Sequence, residues 1–444
     1  MFARTFSTAA LMITMGACTT RPLEGATEGA SASSSGSSSS TDGLTTSDGP
    51  TTAQPTTSTS TSTSAETSEP GTSSTTIGDE TTSATTTSGG PPSVCGPPCA
   101  ETWEIEGNLS VSGWGDPPIW YSCLTAVHGD LTIEEDVPQE ILASLANLRR
   151  VDGRLHFLGH QTAEDLDFLA CLEETAWLDI AHAPKLTDLG ALAGLRSAGE
   201  VWLSDLAITT LPSFAPEFTG IYRLVLSNNP ALKDLGGVAA WGVSDTYLSI
   251  QLDNNAALST LASLENLTAA LGDATLHLQI IDSPALVSLT GLEPVTNIGD
   301  LWLEGLPQLT DLAPLAGLTS AQSLTLDDIP QLDSLADLGS LTSVGFLTLG
   351  NCINTDPGGL DGLTSLAGLD NLVDVNLFGI SGNDGLTSLA GAPKLKHVNS
   401  LAVVDAPALS QAAYDAFLAQ LESPPSETCL GPWIECQCFQ LLPW

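Results

Sequence analysis

Carboxylates are the side chains most able to do chemistry in this chain. Its 444 residues include 52 Asp and Glu against 11 Lys and Arg, for a formal net charge of −41. Two carboxylates at a set separation can cleave a glycosidic bond. Four aspartates follow short apolar segments and are candidates for such a pair: Asp205, Asp253, Asp327 and Asp328. One hypothesis is therefore a β-helix enzyme that cleaves polysaccharides, although so many acidic residues also become neighbours by chance.

Other catalytic patterns are weak or missing in the sequence. His156 and His160 are four residues apart, but no Glu follows His156 and the segment reads as a strand and turn. A metalloprotease needs both histidines on one face of a helix. The sequence also contains no Gly-rich phosphate loop and no Gly-x-Ser-x-Gly elbow. We therefore predict a protein that is not an enzyme, with no cofactor and no metal site.

The cysteines point to disulfide bonds. Apart from Cys18, eight cysteines remain, an even number that predicts disulfides in an exported chain. They are Cys95, Cys99, Cys123, Cys171, Cys352, Cys429, Cys436 and Cys438. A metal site formed by the last three is the alternative, but thiolate zinc sites use close pairs of ligands and no histidine lies near these cysteines. The sequence does not specify which cysteines pair.

The excess of acidic over basic residues restricts the classes of partner that the protein can bind. A chain with a net charge of −41 cannot assemble the basic patch that nucleic-acid binding requires. The same charge opposes electrostatic docking on anionic lipid headgroups. Only nine Lys and Arg follow residue 94, which argues against a lyase with a cationic base. Nucleic acids and direct membrane binding are therefore excluded.

The body of the chain is a repeat. Short apolar triplets, each an aliphatic or aromatic residue on either side of a variable one, recur with six of ten intervals equal to 23 residues. The triplets begin at Leu155, Leu178, Val201, Leu224, Ile250, Leu278, Leu301, Leu324, Leu347, Val375 and Leu401, and Leu131 adds a twelfth. Alternation with a period of two predicts a short strand in each repeat. Since one repeat cannot bury its own leucines, stacked repeats must share a core. We predict a parallel β solenoid without long helices in the repeats.

The opening of three repeats resembles the receptor L-domain, a leucine-rich right-handed β-helix. An aliphatic residue and a glycine precede the strand in Val151–Leu155, Ile298–Leu301 and Val344–Leu347. The resemblance implies an all-β-rich solenoid of about 12 rungs of ~23 residues over residues 124–409. It also implies a ligand-binding role, and nothing resembling a kinase or a transmembrane segment follows.

A second feature favours the L-domain form over the ordinary leucine-rich horseshoe. The horseshoe carries a regular ladder of asparagines after its strands. Here Asn229, Asn255 and Asn351 occupy the expected slot, whereas Asp282 and Asp328 occupy it in other repeats.

Both ends of the array are predicted to carry caps. A solenoid exposes an apolar terminal coil unless another segment covers it. Residues 95–123 contain three cysteines and form the predicted N-terminal cap. In the C-terminal segment 410–444, Ser410 can cap a short helix. Its apolar stripe faces the core: Tyr414, Phe417, Leu418 and Leu421.

The N-terminus reads as an export signal. Residues 1–17 carry Arg4 and an apolar stretch too short to span a bilayer, which is typical of a signal peptide. Met15-Gly16-Ala17-Cys18 resembles the bacterial lipobox, and this resemblance implies acylation of Cys18. Thr19, in place of the Asp that retains such proteins in the inner membrane, implies the outer membrane. The alternative is an ordinary signal peptide with a chance cysteine.

A disordered stalk is predicted between the anchor and the solenoid. Residues 31–90 contain 37 Ser or Thr among 60 residues. Such a segment buries too little apolar surface to offset the entropy of ordering. We therefore predict that residues 18–94 form a lipidated, flexible tether that displays the solenoid at the cell surface, with membrane contact through the lipid alone.

The middle residue of each triplet should point outward and form a binding face. Its predicted members are Trp202, Gln251, Gln279, Trp302 and Thr325. Tryptophan is enriched where proteins recognise partners. The alternative is that a loop folds over each indole. The predicted function is non-catalytic binding of an envelope or extracellular protein or glycan.

Overall fold

The computed structural model describes residues 95–113, 121–135, 137–244, 246–350 and 359–431. The predicted signal peptide, Cys18 and the predicted stalk lie outside these ranges. So do Asn351, Cys352, Cys436 and Cys438.

Sixteen short strands of the described residues form one sheet, in which every pairing between strands is parallel. The first half comprises β1 (Trp103–Ile105), β2 (Leu109–Val111), β3 (Leu124–Val127), β4 (Leu131–Ile133), β5 (Arg150–Leu158), β6 (Glu174–Ala183), β7 (Ser197–Leu206) and β8 (Arg223–Ser227). The second half comprises β9 (Tyr247–Asp253), β10 (Thr275–Ile281), β11 (Asn297–Glu304), β12 (Ser320–Asp327), β13 (Ser343–Leu349), β14 (Asp374–Ser381), β15 (His397–Val404) and β16 (Glu427–Gly431). From β5 onward each strand pairs with the next in sequence, which is the topology of a solenoid.

Helices are short and few in the described ranges, as the repeats predict. The α-helices are α1 (Gln139–Ser144), α2 (Glu265–Ala269) and α3 (Gln411–Gln420). Single 3₁₀ turns lie on the return segments, at Asp167–Leu169, Gly190–Gly194, Gly236–Ala240, Ala262–Leu264, Ala313–Leu315 and Ala336–Leu338. The chain therefore returns to the sheet mainly through turns.

Stacked leucines hold the repeats together. Leu301, Leu324 and Leu347 pair in register on successive strands and are at most 1% exposed. Leucines of the return segments, such as Leu312 and Leu335, are fully buried in the same cluster. One continuous core thus runs from the first described rungs to the C-terminal helix, because each repeat buries its apolar face against its neighbours.

The C-terminal helix α3 forms as predicted. The Ser410 side chain accepts a hydrogen bond from the Ala413 backbone N–H at 3.2 Å, which satisfies one of the unpaired donors of the first turn. Tyr414 and Phe417 are buried, and Leu418 and Leu421 pack against the core from partly buried positions. The stripe is therefore a packing surface.

One predicted triplet is out of register. Phe378-Gly379-Ile380, and not the predicted Val375-Asn376-Leu377, pairs with the preceding triplet Leu347-Thr348-Leu349. Val375 instead pairs with Val344, which also faces the core near the start of its strand. Several strands have an inward residue three positions before the triplet, such as Ile298 and Val344, and Val375 with Leu377 therefore imitates the triplet pattern.

The asparagine slot also differs from its predicted membership. Asn229 and Asn255 occupy it, fully buried, and so do Ser283 and Asn383. Asp282 and Asp328 lie one position earlier, where the backbone has a positive φ of 51° and 47°. Asp and Asn tolerate this left-handed conformation better than most residues, which explains the aspartates at the turn.

Disulfide bonds are confirmed at the N-terminal end. Cys95 bonds to Cys171, and Cys99 bonds to Cys123. Cys429 on β16 is also disulfide-bonded. The first bond ties the cap to a rung 76 residues further along the chain. Disulfides of this kind are typical of proteins in oxidising compartments.

Candidate recognition surface

The five predicted binding residues form one column on the outward face of the sheet. Trp202 pairs with Val225, Val225 with Gln251, and Gln251 with Gln279. Gln279 in turn pairs with Trp302, and Trp302 with Thr325. All five predicted residues are partly exposed. With four strand steps between them, the two indoles are about 19 Å apart along the solenoid.

Trp302 lies in an acidic environment. Its indole Nε1 donates to Glu304 Oε2 at 2.8 Å. Burial raises the pKa of Glu304, and the negative charges of Asp282, Asp328 and Asp253 raise it further, against the lowering effect of the indole hydrogen bond. Residues 234–393 contain no Lys or Arg. This half of the outward face therefore carries uncompensated negative charge.

The pKa of a second carboxylate in this environment, that of Asp253, is also raised. Burial is the main cause that raises the pKa of Asp253, and the nearby charge of Asp282 adds to it. A hydrogen bond from Gln279 Nε2, at 3.1 Å from Asp253 Oδ1, opposes the shift. Gln279 is thus oriented by the neighbouring rung.

Around Trp202 the outward face is aromatic and contains both signs of charge. We call this surface the aromatic ridge, formed by Arg154, Trp177, Trp202, Tyr222, Arg223, Tyr247 and His277. The indoles of Trp177 and Trp202 lie 5.2 Å apart between ring centroids, at an angle of 47°. The Arg154 guanidinium lies 4.0 Å from the Trp177 ring centroid, and that of Arg223 lies 4.9 Å from the Trp202 centroid. Each indole is therefore held by a cation–π contact.

Glu200 connects the indoles to the tyrosines of the ridge. Its carboxylate accepts from Trp202 Nε1 at 3.0 Å and from the Tyr222 hydroxyl at 2.8 Å. Burial raises the pKa of Tyr222 to about 12, and the hydrogen bond to Glu200 contributes. The Tyr222 ring lies 5.7 Å from that of Tyr247, which makes an edge contact with His277 at 6.4 Å.

Asp179 lies beside Trp202, with which it pairs on the neighbouring strand, and holds the charged groups of the ridge. This aspartate is 5% exposed and pairs with both Arg154 and His156. Arg223 is oriented on the other side by its Nη2, which donates to Gln251 Oε1 at 3.1 Å. Arg154 is thus ion-paired with Asp179, whereas Arg223 is held by the Gln251 hydrogen bond and the contact with Trp202, and both arrangements restrict the rotamers of the guanidinium groups.

The sequence reasoning missed Trp177, Tyr222 and Tyr247. Trp177 immediately precedes the apolar triplet and pairs with Glu200 on the next strand. Alternation places this position outward as well as the middle one, so the signal was present in the sequence. Tyr222 and Tyr247 also precede the triplets of their strands. The number of residues between such an outward position and the triplet differs from rung to rung, so the triplet pattern alone does not identify these tyrosines.

Some middle residues are buried although alternation predicts that they are exposed. They are Asp179, Val225, Thr348 and Ala402, all at most 7% exposed. Ala402 packs with Val404 and Cys429 in a small second cluster on the outward side. Asn376, predicted in this column, is replaced there by Gly379 because of the register correction. The open part of the column therefore lies in the middle rungs.

The four aspartates considered for catalysis are accounted for by structural contacts, turns or burial. Asp205 pairs with His182 Nδ1 at 2.6 Å, and Asp205 and Asp328 adopt positive φ at turns. Asp253 accepts from Gln279, and Asp327 is 2% exposed. A cavity of about 490 Å³ lies near the C-terminal cap, lined by residues that include Asp384, Asp405 and Leu430. None of the four candidates lines it.

Within the described ranges, no group of three His, Cys, Asp or Glu side chains is placed to hold a metal ion. No helix in the same ranges is long and apolar enough to cross a membrane.

The first rung of the solenoid, next to the N-terminal cap, carries a histidine with a raised pKa. His128 Nδ1 lies 2.8 Å from Asp152 Oδ2, and its Nε2 lies 2.9 Å from Glu104 Oε2 on β1. The hydrogen bond with Asp152 and then that with Glu104 raise the pKa of His128 to about 9, and the charge of Glu106 adds to this. Arg150 also contacts Asp152. The protonated imidazole therefore joins three successive rungs.

This contact predicts a pH-dependent stability of the cap. A raised pKa means that the contribution is fully present below the ordinary value of 6.5 and is lost as the pH rises through about 9. We expect the thermal midpoint of the wild-type protein to exceed that of His128→Gln at pH 6, and the difference to shrink by pH 10. Differential scanning calorimetry at both pH values measures this. A difference that is the same at both would contradict the assignment.

Comparisons with known proteins add little to this picture. No family model matches the chain, and no curated protein matches it. Among solved structures, it is similar to the crystal structure of a TLR13–ssRNA13 complex, with 14% identity and a TM-score of 0.27, over 73% of this chain and 64% of that chain. This chain thus spans less than two thirds of that one. A likeness this distant carries no argument about function.

The geometry itself defines the class of the protein. Short parallel strands, stacked leucines, buried asparagines after the strands and turn-rich return segments make this chain a leucine-rich-repeat-like parallel β solenoid. Solenoids of this type typically serve as extended binding scaffolds.

Proposed function

We propose that this protein is a non-catalytic recognition scaffold that binds its partner on the outward face of the sheet. The observation that carries the proposal is the run of partly exposed Trp and Tyr side chains on adjacent strands, fixed by cation–π contacts and by Glu200. Side chains held in place lose less entropy on binding. Aromatic residues are also those most often found at binding hot spots.

We further propose that the scaffold is a lipoprotein of the bacterial cell envelope, displayed on the outer membrane by a flexible stalk. The lipobox-like Met15–Cys18 and the Ser/Thr-rich residues 31–90 support this proposal. The disulfides Cys95–Cys171 and Cys99–Cys123 support export, since such bonds persist in oxidising compartments. Within this proposal, residues 95–123 are an N-terminal cap, residues 124–409 the solenoid and residues 410–444 the C-terminal cap.

The solenoid is proposed to have the L-domain form. Its asparagine slot is occupied by polar residues such as Asn229 and Asn383 in some rungs and by apolar residues such as Leu206 and Ile329 in others. An interrupted ladder of this kind supports the L-domain over the regular horseshoe.

Truncation of the two tryptophans tests the recognition role. Trp202→Ala and Trp302→Ala should each weaken partner binding by about 30-fold, because an interface anchor contributes about 2 kcal/mol or more. Both side chains are partly exposed, so the thermal midpoint should change little. The measurement is retention of components of a cell-envelope extract on the immobilised full-length chain. Unchanged retention, or a large fall in midpoint for both variants, would contradict the proposal.

A further inference from the structure

The aromatic ridge is a narrow strip. It crosses six adjacent strands, from Arg154 on β5 to His277 on β10, which corresponds to about 24 Å at the usual strand spacing. Across the strip, outward positions two residues apart on one strand are about 7 Å apart. A stable protein interface covers roughly 800 Å² on each partner, far more than such a strip offers. Its shape fits a single extended chain that runs along the solenoid axis.

The charges on the ridge favour a neutral ligand. Asp179 is paired with Arg154 and His156, and Glu200 accepts from two aromatic side chains. A polyanion would be repelled by a protein with a net charge of −41. A polycation would be attracted to the carboxylates near Trp302, such as Glu304, Asp282 and Asp328, more strongly than to the ridge, which contains Arg154 and Arg223.

The chemistry of the ridge alternates rings with hydrogen-bonding groups. Trp177 and Trp202 are partly exposed, and Tyr247 is 40% exposed. Beside these rings lie the Glu200 carboxylate on β7 and, on β9 with Tyr247, the Gln251 amide, to which Arg223 donates a hydrogen bond. A sugar ring offers an apolar face of C–H groups and an edge of hydroxyls, which match such an alternation. Aromatic rings accept the face, while carboxylates and amides bind the hydroxyls.

We propose that the aromatic ridge binds a neutral polysaccharide chain lying across strands β5 to β10. This inference rests on the proposed recognition function and names the class of its ligand. It also centres the ligand on the N-terminal half of the outward face, from which the polysaccharide chain continues to Trp302 on the adjacent strand β11.

Neutral hexasaccharides provide the direct test. Cellohexaose, chitohexaose and maltohexaose are titrated into the full-length chain by isothermal titration calorimetry. At least one should bind, and Trp177→Ala and Tyr247→Ala should each weaken its binding at least tenfold. Val287→Ala is the matched control: this residue is 54% exposed but lies on the return segment between β10 and β11, so its loss should leave the affinity unchanged. Since Tyr247 is well exposed, its variant remains informative even where Trp177→Ala fails to fold.

The outcomes separate this inference from the proposed function. Absence of binding by all three sugars, or binding that neither ridge variant weakens, overturns the inference. In a second arm, the cell-envelope extract is treated with periodate, which destroys sugars, or with proteinase K before it is applied to the immobilised chain. Retention that is lost after periodate and survives proteinase K supports a glycan. Retention that survives periodate and is lost after proteinase K overturns the glycan while the recognition function stands.

Discussion

Replacement of Asn229 by Ala should lower the free energy of unfolding by about 3 kcal/mol, since it leaves two buried backbone groups without partners. Asn229 is fully buried. Its Nδ2 donates to the Leu203 carbonyl at 2.9 Å, and its Oδ1 accepts from the Leu206 N–H at 3.0 Å. Its own N–H donates to Asn255 Oδ1 at 3.2 Å, which continues the ladder into the next rung.

Two further variants make this prediction specific. Asn383 bonds the Leu349 carbonyl and the Leu360 N–H in the same way, so Asn383→Ala should be similarly destabilising. Asn376 is exposed and bonds only another exposed side chain, so Asn376→Ala should change stability by less than about 0.5 kcal/mol. Urea unfolding followed by circular dichroism measures all three. Equal effects of the three substitutions would show that the buried ladder has no special role.

Replacement of Gly345 by Ala should also destabilise the protein strongly, by about 3 kcal/mol, because the added methyl group overpacks a rigid site. A Cβ at this position would lie 2.4 Å from the backbone carbonyl oxygen of Gln322. Backbone atoms of a paired strand cannot move aside without disturbing the sheet.

Gly299 is the matched control for Gly345. Both glycines lie two residues before an apolar triplet, but the three atoms nearest to a Cβ at Gly299 belong to the imidazole ring of His277, the first of them at 2.5 Å. A side chain can rotate away, so Gly299→Ala should cost about 1 kcal/mol or less. Thermal unfolding of the two variants provides the comparison. A Gly345→Ala protein as stable as the wild type, or a Gly299→Ala protein destabilised as strongly, would contradict this account of the rung opening.

The architecture was accessible from sequence because its determinants are local. A strand exposes alternate side chains to the core, so the apolar triplets and their 23-residue spacing predict parallel strands and stacked leucines such as Leu324. The C-terminal helix was equally accessible, since Ser410 and the apolar stripe after it lie within three turns. Such patterns need no knowledge of distant partners.

The register of the strands and the residues that occupy the asparagine slot could not be predicted in the same way. Val375 and Leu377 satisfy the triplet pattern as well as Phe378 and Ile380 do, and only pairing with β13 distinguishes them. Asn383 was overlooked for the same reason, because its place in the ladder depends on the carbonyl of Leu349 and the N–H of Leu360, 34 and 23 residues away.

The sequence by itself determined the repeat and the alternation that turns Trp202, Gln251, Gln279, Trp302 and Thr325 outward, and its acidity predicts that nucleic acids are not partners. Only the tertiary structure decided that the indole of Trp202 is held between Trp177 and Arg223, whereas Trp302 lies among carboxylates. Apart from the hydrogen bond from Trp302 to Glu304 within β11, these contacts join residues of different rungs that are more than 20 positions apart in the sequence. Alternation along one strand specifies the side of the sheet on which a residue lies, but its neighbours on that side depend on how the strands stack.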